Sequence, residues 1–526
     1  MITVHAAPHP EFDAILSPAA LGFVADLHRC FAGRRAELLN TRRQKEARAF
    51  DFLPETETVR SDPTWRIAPP APGLQDRRCE ITGPPTPSMT VNALNSRARV
   101  WMADFEDAMS PTWVNLIDGQ LNLYHAIRRS IDFTDERGRR YELRDQTATI
   151  MVRPRGLHLC EKHLRIDGQP IPGAFVDFGL FLFHNAHALI DSGRGPYFYL
   201  PKLESHLEAR LWNNIFTWAE QVLALRHGTI RATCLVETFP AAFEMEEILY
   251  ELREHSAGLN AGRWDYLFSY IKSFADDPAK VLPDRAAVTM TVPMMQAYCQ
   301  QLVRVCHARG AHAIGGMAAF VPDRSSADIT EEALARTEAD KRREADLGFD
   351  GSWVAHPALV QTCSYIFTET LGNLPNQIGL QHDLPEITAN DLMGTAVPGD
   401  ITLRGVRNNV QVSLRYLTAW VGGRGAVTIN HLMEDAATVE ISRMQIWQWI
   451  RHGAQTAGGA TITAPLVTSM IAEEAERMLD AADPSERNRI IAAADILRHS
   501  CLEPKFPSFF TGYGYSYLIE GDGALD

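Results

Sequence analysis

The chain runs to 526 residues, 45% hydrophobic and 22% charged, which is ordinary for a folded protein and long enough for two or three domains. A net charge of −14 excludes the basic stripe of a nucleic-acid binder, and no run of about 18 apolar residues reads as a membrane span. Eight cysteines, scattered singly without a CxxC pair, carry no zinc signature and fit reduced, buried thiols in a cytoplasmic protein.

The first residues, "MITVHAAPHPEFDAIL", lack the basic-then-apolar layout of a signal peptide, and the last, "GDGALD", are not a peroxisomal address. Residues 11–50 carry helical spacing with Arg and Lys on the polar face. Residues 53–88 are rich in Pro and Gly and read as an extended linker that closes an N-terminal domain, 1–88. From about residue 95 short β-like runs recur: 98–104, 147–153, 196–202, 231–237, 264–270, 286–292, 311–316 and 351–356. Stretches with helix spacing separate most of them, and two of these, "FPAAFEMEEILYELREHSAG" and "VPMMQAYCQQLVRVCHARG", end in a glycine suited to a helix cap. Eight strands alternating with helices predict a (β/α)8 barrel over 89–375. A doubly wound sheet is the competitor, but no GxGxxG follows the first strand. The loop-like "QIGLQHDLPEITANDLMGTAVPGDITLRGV" is a second boundary, and 376–526 reads as a mostly helical domain. Its clearest element, "EDAATVEISRMQIWQWIRHG", is acidic at its start and ends in His452 and Gly453, the order that suits a helix dipole.

In a barrel the C-terminal ends of the strands face one shared mouth. The runs end in Asp104 with Glu106 and Asp107, Arg153 with Arg155, Lys202, Glu237 and His356, while Asp265 comes near the start of its run. Acidic groups so placed suit a hard cation such as magnesium, which takes a couple of carboxylates and leaves positions for substrate oxygens. Each carboxylate taken alone reads better as the ion-pair partner of Arg153, Arg155, Lys202 or Arg263, and two of them at neighbouring strand ends shift the balance toward an ion. "EDAAT" alone reads as a capping acidic pair.

Several stretches together carry a resemblance: "DRRCEITGP" (76–84), "VNALNSRARVWMADFEDAMSPTW" (91–113), "VRPRGLHLCEKH" (152–163), "LVETFPAAFEMEEIL" (235–249), "GLNAGRWDYLFSYIK" (258–272), "GSWVAHP" (351–357) and "LMEDAATVEISRMQIWQWI" (432–450). From the linker to about residue 455 the chain resembles the malate synthases, most closely their shorter A form. The resemblance implies a TIM barrel with an N-terminal helical clasp and a C-terminal helical plug. It implies an enzyme that condenses acetyl-CoA with glyoxylate and hydrolyses the thioester to malate and CoA. It implies Mg2+ on Glu237 and Asp265, with Arg153 and Asp435 as catalytic cation and base. Trp353 and His356 are expected at the acetyl-CoA channel, with core packing an equal reading for Trp353. Asp104, Glu106 and Asp107 are expected around the metal or Arg153, or in structural ion pairs, and Lys202 and Arg155 as charge partners or substrate contacts. Glu434 takes a structural or capping role.

"GGMAAFVP" lacks the lysine of a phosphate loop and suits a close backbone approach near the site. One departure is Ala261, where related sequences often carry Cys. The partners so implied are small molecules alone, with no nucleic acid or membrane, and the protein a monomer or small homo-oligomer. A lyase or thioesterase acting on malyl-CoA-like substrates is the neighbouring enzyme reading. A non-catalytic barrel would be expected to lack one of Arg153, Glu237, Asp265 or Asp435, and all four are present.

Overall fold

The computed structural model describes all residues except 1, 8, 45–49, 136–137, 324, 381–382, 395–396 and 522–526. Most of the "GDGALD" tail and part of the 11–50 helical stretch therefore lie outside the described residues. Eight parallel strands close into a barrel in sequence order: β1 (Cys79–Gly83), β2 (Val100–Asp104), β3 (Thr149–Arg153), β4 (Tyr197–Leu200), β5 (Arg231–Val236), β6 (Ser256–Ala261), β7 (Ala313–Ala318) and β8 (Gly351–Val354). The period of two along each strand divides its side chains. Val100, Met102, Met151, Tyr199, Leu235 and Trp353 fill the interior, whereas Trp101, Ala103, Val152 and Phe198 join the larger core shared with the surrounding helices.

The predicted count of eight strands is right, but two of its members are not. The run 286–292 is a short 3-10 turn, Arg285–Ala287, followed by irregular chain, and 264–270 lies in a helix, α4 (Trp264–Ser273). Their places are taken by β1, from the stretch read as linker, and by β6. β6 is "SAGLNA", small and polar residues without the aromatic and branched side chains that mark a strand. Gly258, expected as a helix cap, sits inside it at φ +116°, beside an irregularity in the pairing with β5. A Cβ there would meet the His312 carbonyl at 2.2 Å, so the strand needs glycine at that point.

Ahead of the barrel, α1 (Pro18–Gln44) packs against α2 (Gly173–Asp191) and α3 (His206–Val222) on its flank. Strand Ile2–Val4 pairs antiparallel with Cys160–Ile166. α2 is the one described helix long and apolar enough to cross a membrane, although Asp177, His184, Asn185 and His187 interrupt its apolar run; it is a buried core helix here, its Phe175, Phe178 and Phe181 fully covered. After the barrel, α5 (Leu403–Val421) and α6 (Ala436–Arg451) join Ala464–Ala481, Arg487–Leu502 and Phe510–Gly521 around a core of their own that includes Val410, Trp420, Trp449 and Ile496. All eight cysteines are free; six are buried, Cys160 is half-buried, and Cys30, expected to be buried, is exposed.

Candidate active site

β2 and β3 run side by side, with Asp104 paired in register with Arg153 at their C-terminal ends. Arg153 donates from Nε to Asp104 Oδ1 at 2.7 Å and from Nη2 to Oδ2. That two-pronged grip leaves Nη1 facing the mouth, 3.1 Å from Asp107 Oδ2 and 4.0 Å from Glu237 Oε2. Asp104 is fixed in turn by the backbone N–H groups of Glu106 and Ala108.

Lys202 follows β4 at φ +54°, a left-handed conformation that costs a non-glycine residue about 1 kcal/mol. Its ammonium lies among three carboxylates, 2.8 Å from Glu106, 2.9 Å from Asp107 and 3.0 Å from Asp265, while its backbone N–H donates to Glu237 Oε1 at 2.9 Å. Glu237 ends β5. Gly262 lets the next strand end approach it, since a Cβ there would lie 2.9 Å from Glu237 Cβ. Asp265, expected near the start of a strand, is instead in the first turn of α4, just above the end of β6. A helix N-terminus is a favourable place for a buried carboxylate.

Asp107, Glu237 and Asp265 each present an oxygen within 4.8 Å of the other two. Five buried carboxylates (Asp104, Glu106, Asp107, Glu237 and Asp265) thus face two cations, Arg153 and Lys202. Burial, and then Asp107 beside it, hold Glu106 well above the usual carboxylate range. Burial also raises Glu237 against the pull of Lys202 and Arg153, and raises Asp265 strongly against Lys202. For Asp107, Lys202 and Arg153 overcome burial and lower it. Asp265 Oδ1 is buried without a hydrogen-bond partner. A carboxylate surplus with an unpaired oxygen fits a hard divalent cation on Asp107, Glu237 and Asp265.

Asp435 reaches this mouth from the helical domain through a tight hairpin. Val427–Ile429 pairs with Leu432–Glu434 across a two-residue turn whose Asn430 and His431 both have positive φ, the geometry that matches strand twist. The hairpin is tied to the loop after β7 by Val321 N–H to His431 O (2.9 Å) and Met433 N–H to Ala319 O (2.7 Å). Asp435 then caps α6, accepting from Ala437 N–H at 3.1 Å, and the next N–H, that of Ala436, donates to Asp107 O. What surface Asp435 keeps is turned into a cleft of about 1190 Å³ that also takes in Arg153, Glu237, Asp265 and Trp353. Burial, then Asp107, lift its carboxyl to about 7 against the pull of Arg153. Desolvation therefore outweighs the helix N-terminus here.

The other predicted residues divide. Trp353 lies at the floor of the cleft, donating from Nε1 to Glu80 and to Tyr199 Oη, each at 3.1 Å. His356 does not join the site: it caps the turn Pro357–Leu359 and is absent from the cleft lining. Arg155 is held by Asp177 (2.9 Å) and Glu161 (2.8 Å), a buried structural cluster. Glu434, just ahead of α6, accepts from the Thr438 hydroxyl, a structural contact between side chains, while the cap itself is made by Asp435. Gly315 packs against the Glu344 carboxylate and Gly316 N–H donates to it at 2.9 Å, the close approach expected of "GGMAAFVP". A set of cations that the sequence pattern does not single out, Arg285, Arg336, Arg343 and Arg404, lines the cleft with Arg263. Arg336 and Arg343 come from "ARTEADKRREADL", whose charges are indistinguishable in sequence from a solvated helix face. A second cavity, about 480 Å³ beside Leu38, Phe243 and Phe509, is reached by none of Arg153, Glu237, Asp265 and Asp435.

A (β/α)8 barrel with ionisable strand ends at one mouth, roofed by a helical domain that adds a further carboxylate, defines a barrel enzyme working at the C-terminal face of its strands. Family models match most of the chain: malate synthase N-terminal domain at 3–58, malate synthase TIM barrel domain at 149–395 and malate synthase C-terminal at 400–518. Among full-length relatives, a malate synthase of Streptomyces clavuligerus is 54% identical over 97% of this chain and 96% of its own length. One of Myxococcus xanthus is 51% identical over 91% of this chain and 88% of its own, and a glyoxysomal malate synthase of Candida tropicalis 48% identical over 95% and 92%. The chain belongs to the malate synthase family and is an acyltransferase.

Proposed function

We propose that this protein condenses acetyl-CoA with glyoxylate and hydrolyses the thioester to malate and CoA, using a divalent cation, Mg2+, held by Glu237 and Asp265 with Asp107 beside them. The observation that carries the reading is Asp435, lifted to about 7 and held over a carboxylate-rich mouth in the same cleft as Arg153. When bound, the cation would act as a Lewis acid on the glyoxylate carbonyl and orient it. Asp435 takes the α-proton of acetyl-CoA, a weak carbon acid that needs a positioned base of matched pKa. Arg153 donates to the thioester oxygen as negative charge develops there; Asp104 holds two of its nitrogens, so its orientation is set before the reaction. The enolate carbon then attacks the aldehyde carbon, and water cleaves the malyl thioester to release the CoA thiol. Trp353 closes the floor of the pocket beside the acceptor. The arginines of the cleft supply positive charge complementary to the phosphates of CoA.

In this reading the helical part after residue 376 is a plug that carries the base, and the first 88 residues, apart from β1, form a clasp on the barrel flank. The eight free thiols support a reducing, cytoplasmic setting. The test is thiol release with acetyl-CoA, glyoxylate and Mg2+ each omitted in turn. Release is expected only with all three present, and folded protein that releases no thiol in the complete mixture would overturn the reading. Pyruvate and 2-oxobutyrate in place of glyoxylate measure how closely the pocket fits the acceptor.

A further inference from the structure

At the opposite end of the barrel, where β5 and β6 begin, three side chains converge that this reaction does not use. Glu220 near the end of α3, His227 in the loop before β5 and His255 immediately before β6 each offer an atom within 4.8 Å of the other two. Glu220 Oε2 lies 3.2 Å from His227 Nδ1 and 3.1 Å from His255 Nε2, and the two imidazoles stand at 88° with centroids 4.9 Å apart. We propose that Glu220, His227 and His255 form a second metal site, for a transition ion of the zinc class, with its remaining position open to water.

The outward-facing ring nitrogens carry the argument. His255 Nδ1 lies 2.8 Å from Asn213 Oδ1, and His227 Nε2 lies 3.2 Å from Glu254 Oε2. A neutral imidazole has a single N–H. In the tautomer that donates outward to those oxygens, His255 Nε2 and His227 Nδ1 are lone pairs, both aimed at a carboxylate oxygen. Lone pairs converging on an anion repel unless a cation, a proton or a metal ion, lies between them. An outward N–H to a side-chain oxygen is also how ligating histidines are oriented.

The spacing agrees. Bonds of 2.0–2.2 Å to nitrogen and oxygen in a tetrahedron put neighbouring ligand atoms roughly 3.3–3.5 Å apart, close to the separations found. Glu220 is pinned by the N–H groups of Ile230 (2.9 Å) and Gly228 (3.0 Å), so the donor set is preorganised. Glu220 and His255 are buried while the His227 side chain is 49% exposed, which leaves a path for an ion and a water. Imidazole with carboxylate selects zinc, nickel or cobalt over magnesium, so the ion proposed for the mouth would not fill this site. Its effect would be to clip the loop before β5 to α3 and β6 at the face of a barrel that serves stability.

The full-length protein is stripped with a chelator, saturated with Mg2+, and titrated with Co2+ by visible absorption and with Zn2+ by calorimetry. One equivalent is expected to bind, with a rise in melting temperature. His227→Ala should weaken binding roughly a hundredfold or more and Glu254→Gln roughly tenfold, both with unchanged acyl-transfer rates in Mg2+. Asp265→Asn, at the other end, should leave this equivalent in place. A Mg2+-saturated protein that takes up no Zn2+ or Co2+, or an affinity indifferent to His227→Ala, would overturn the proposal.

Discussion

Two buried ionic clusters sit one above the other in this barrel, and they are built on opposite principles. In the interior, Arg77 donates from Nε to Glu80 at 2.6 Å, from Nη1 to Thr233 and to the Ala257 carbonyl, and from Nη2 to Tyr199. Tyr199 and Trp353 complete the shell around Glu80. One cation meets one carboxylate, and the polar atoms around the pair are satisfied. At the mouth five carboxylates meet two cations, Glu106 and Asp265 sit well above their usual range, and Asp265 Oδ1 has no partner. A balanced cluster holds the fold together, whereas an unbalanced one is held by the fold and waits for something else to balance it.

Substitutions at the two levels should therefore fail differently. The largest effect belongs to Asp435→Asn, which should cost about 10²–10⁴ in kcat while leaving the fold and Mg2+ binding in place; loss of Mg2+ binding would show that base and metal ligands are not separate groups. Arg77→Met should do the reverse. It leaves Glu80 buried and unpaired, so chemical denaturation should report about 3–5 kcal/mol lost, and a destabilisation below about 1 kcal/mol would break the comparison. Smaller is the effect of Mg2+ on the wild type, about 2.7 kcal/mol of added stability at a hundred times Kd, read as a thermal shift. Asp265→Asn should abolish that shift and at the same time raise the metal-free melting temperature by about 1–3 °C, because it removes one of the crowded charges. If the metal-free variant melts lower instead, the mouth is an ordinary set of ion pairs.

How much of this was legible follows from what each feature needs. Arg153, Lys202 and Glu237 end or closely follow apolar runs, so their convergence could be read from alternation alone, and "EDAAT" before a periodic helix marked the cap that Asp435 makes. β6 could not be read, because a strand buried on both faces and kinked at Gly258 keeps none of the alternation that identifies a strand. Losing it pushed the strand assignment forward onto the aromatic helix α4 and left Asp265 apparently misplaced, although its place above β6 is the ordinary one for a residue at a barrel mouth. Lys202 was visible as a charge, but not as the group to which Glu106, Asp107 and Asp265 all turn, since that depends on a left-handed backbone. The arginines of the cleft lie on distant elements and only meet in the fold.

The mildest test sharpens the comparison through pH. As the proposed base, Asp435 would act only when ionised, and burial with Asp107 beside it holds its carboxyl at about 7 in the folded protein. In the unfolded chain it would titrate near 3.9. A folded value above the unfolded one means that the stability linked to this group is fully present below about pH 4 and is lost as pH rises through 7. Activity has the opposite sign: kcat should rise about tenfold per pH unit below 7 and level off above about 8. The metal-free protein should thus lose a little stability over the interval in which the enzyme gains its rate. A bound divalent cation nearby would shift both changes to lower pH, because it favours the ionised carboxyl. Profiles of kcat and of melting temperature from pH 5.5 to 9 read both limbs, and Asp435→Asn should remove the local slope in the melting curve. A flat kcat profile over that range would mean that the raised carboxyl at the helix cap is not the group whose charge sets the rate.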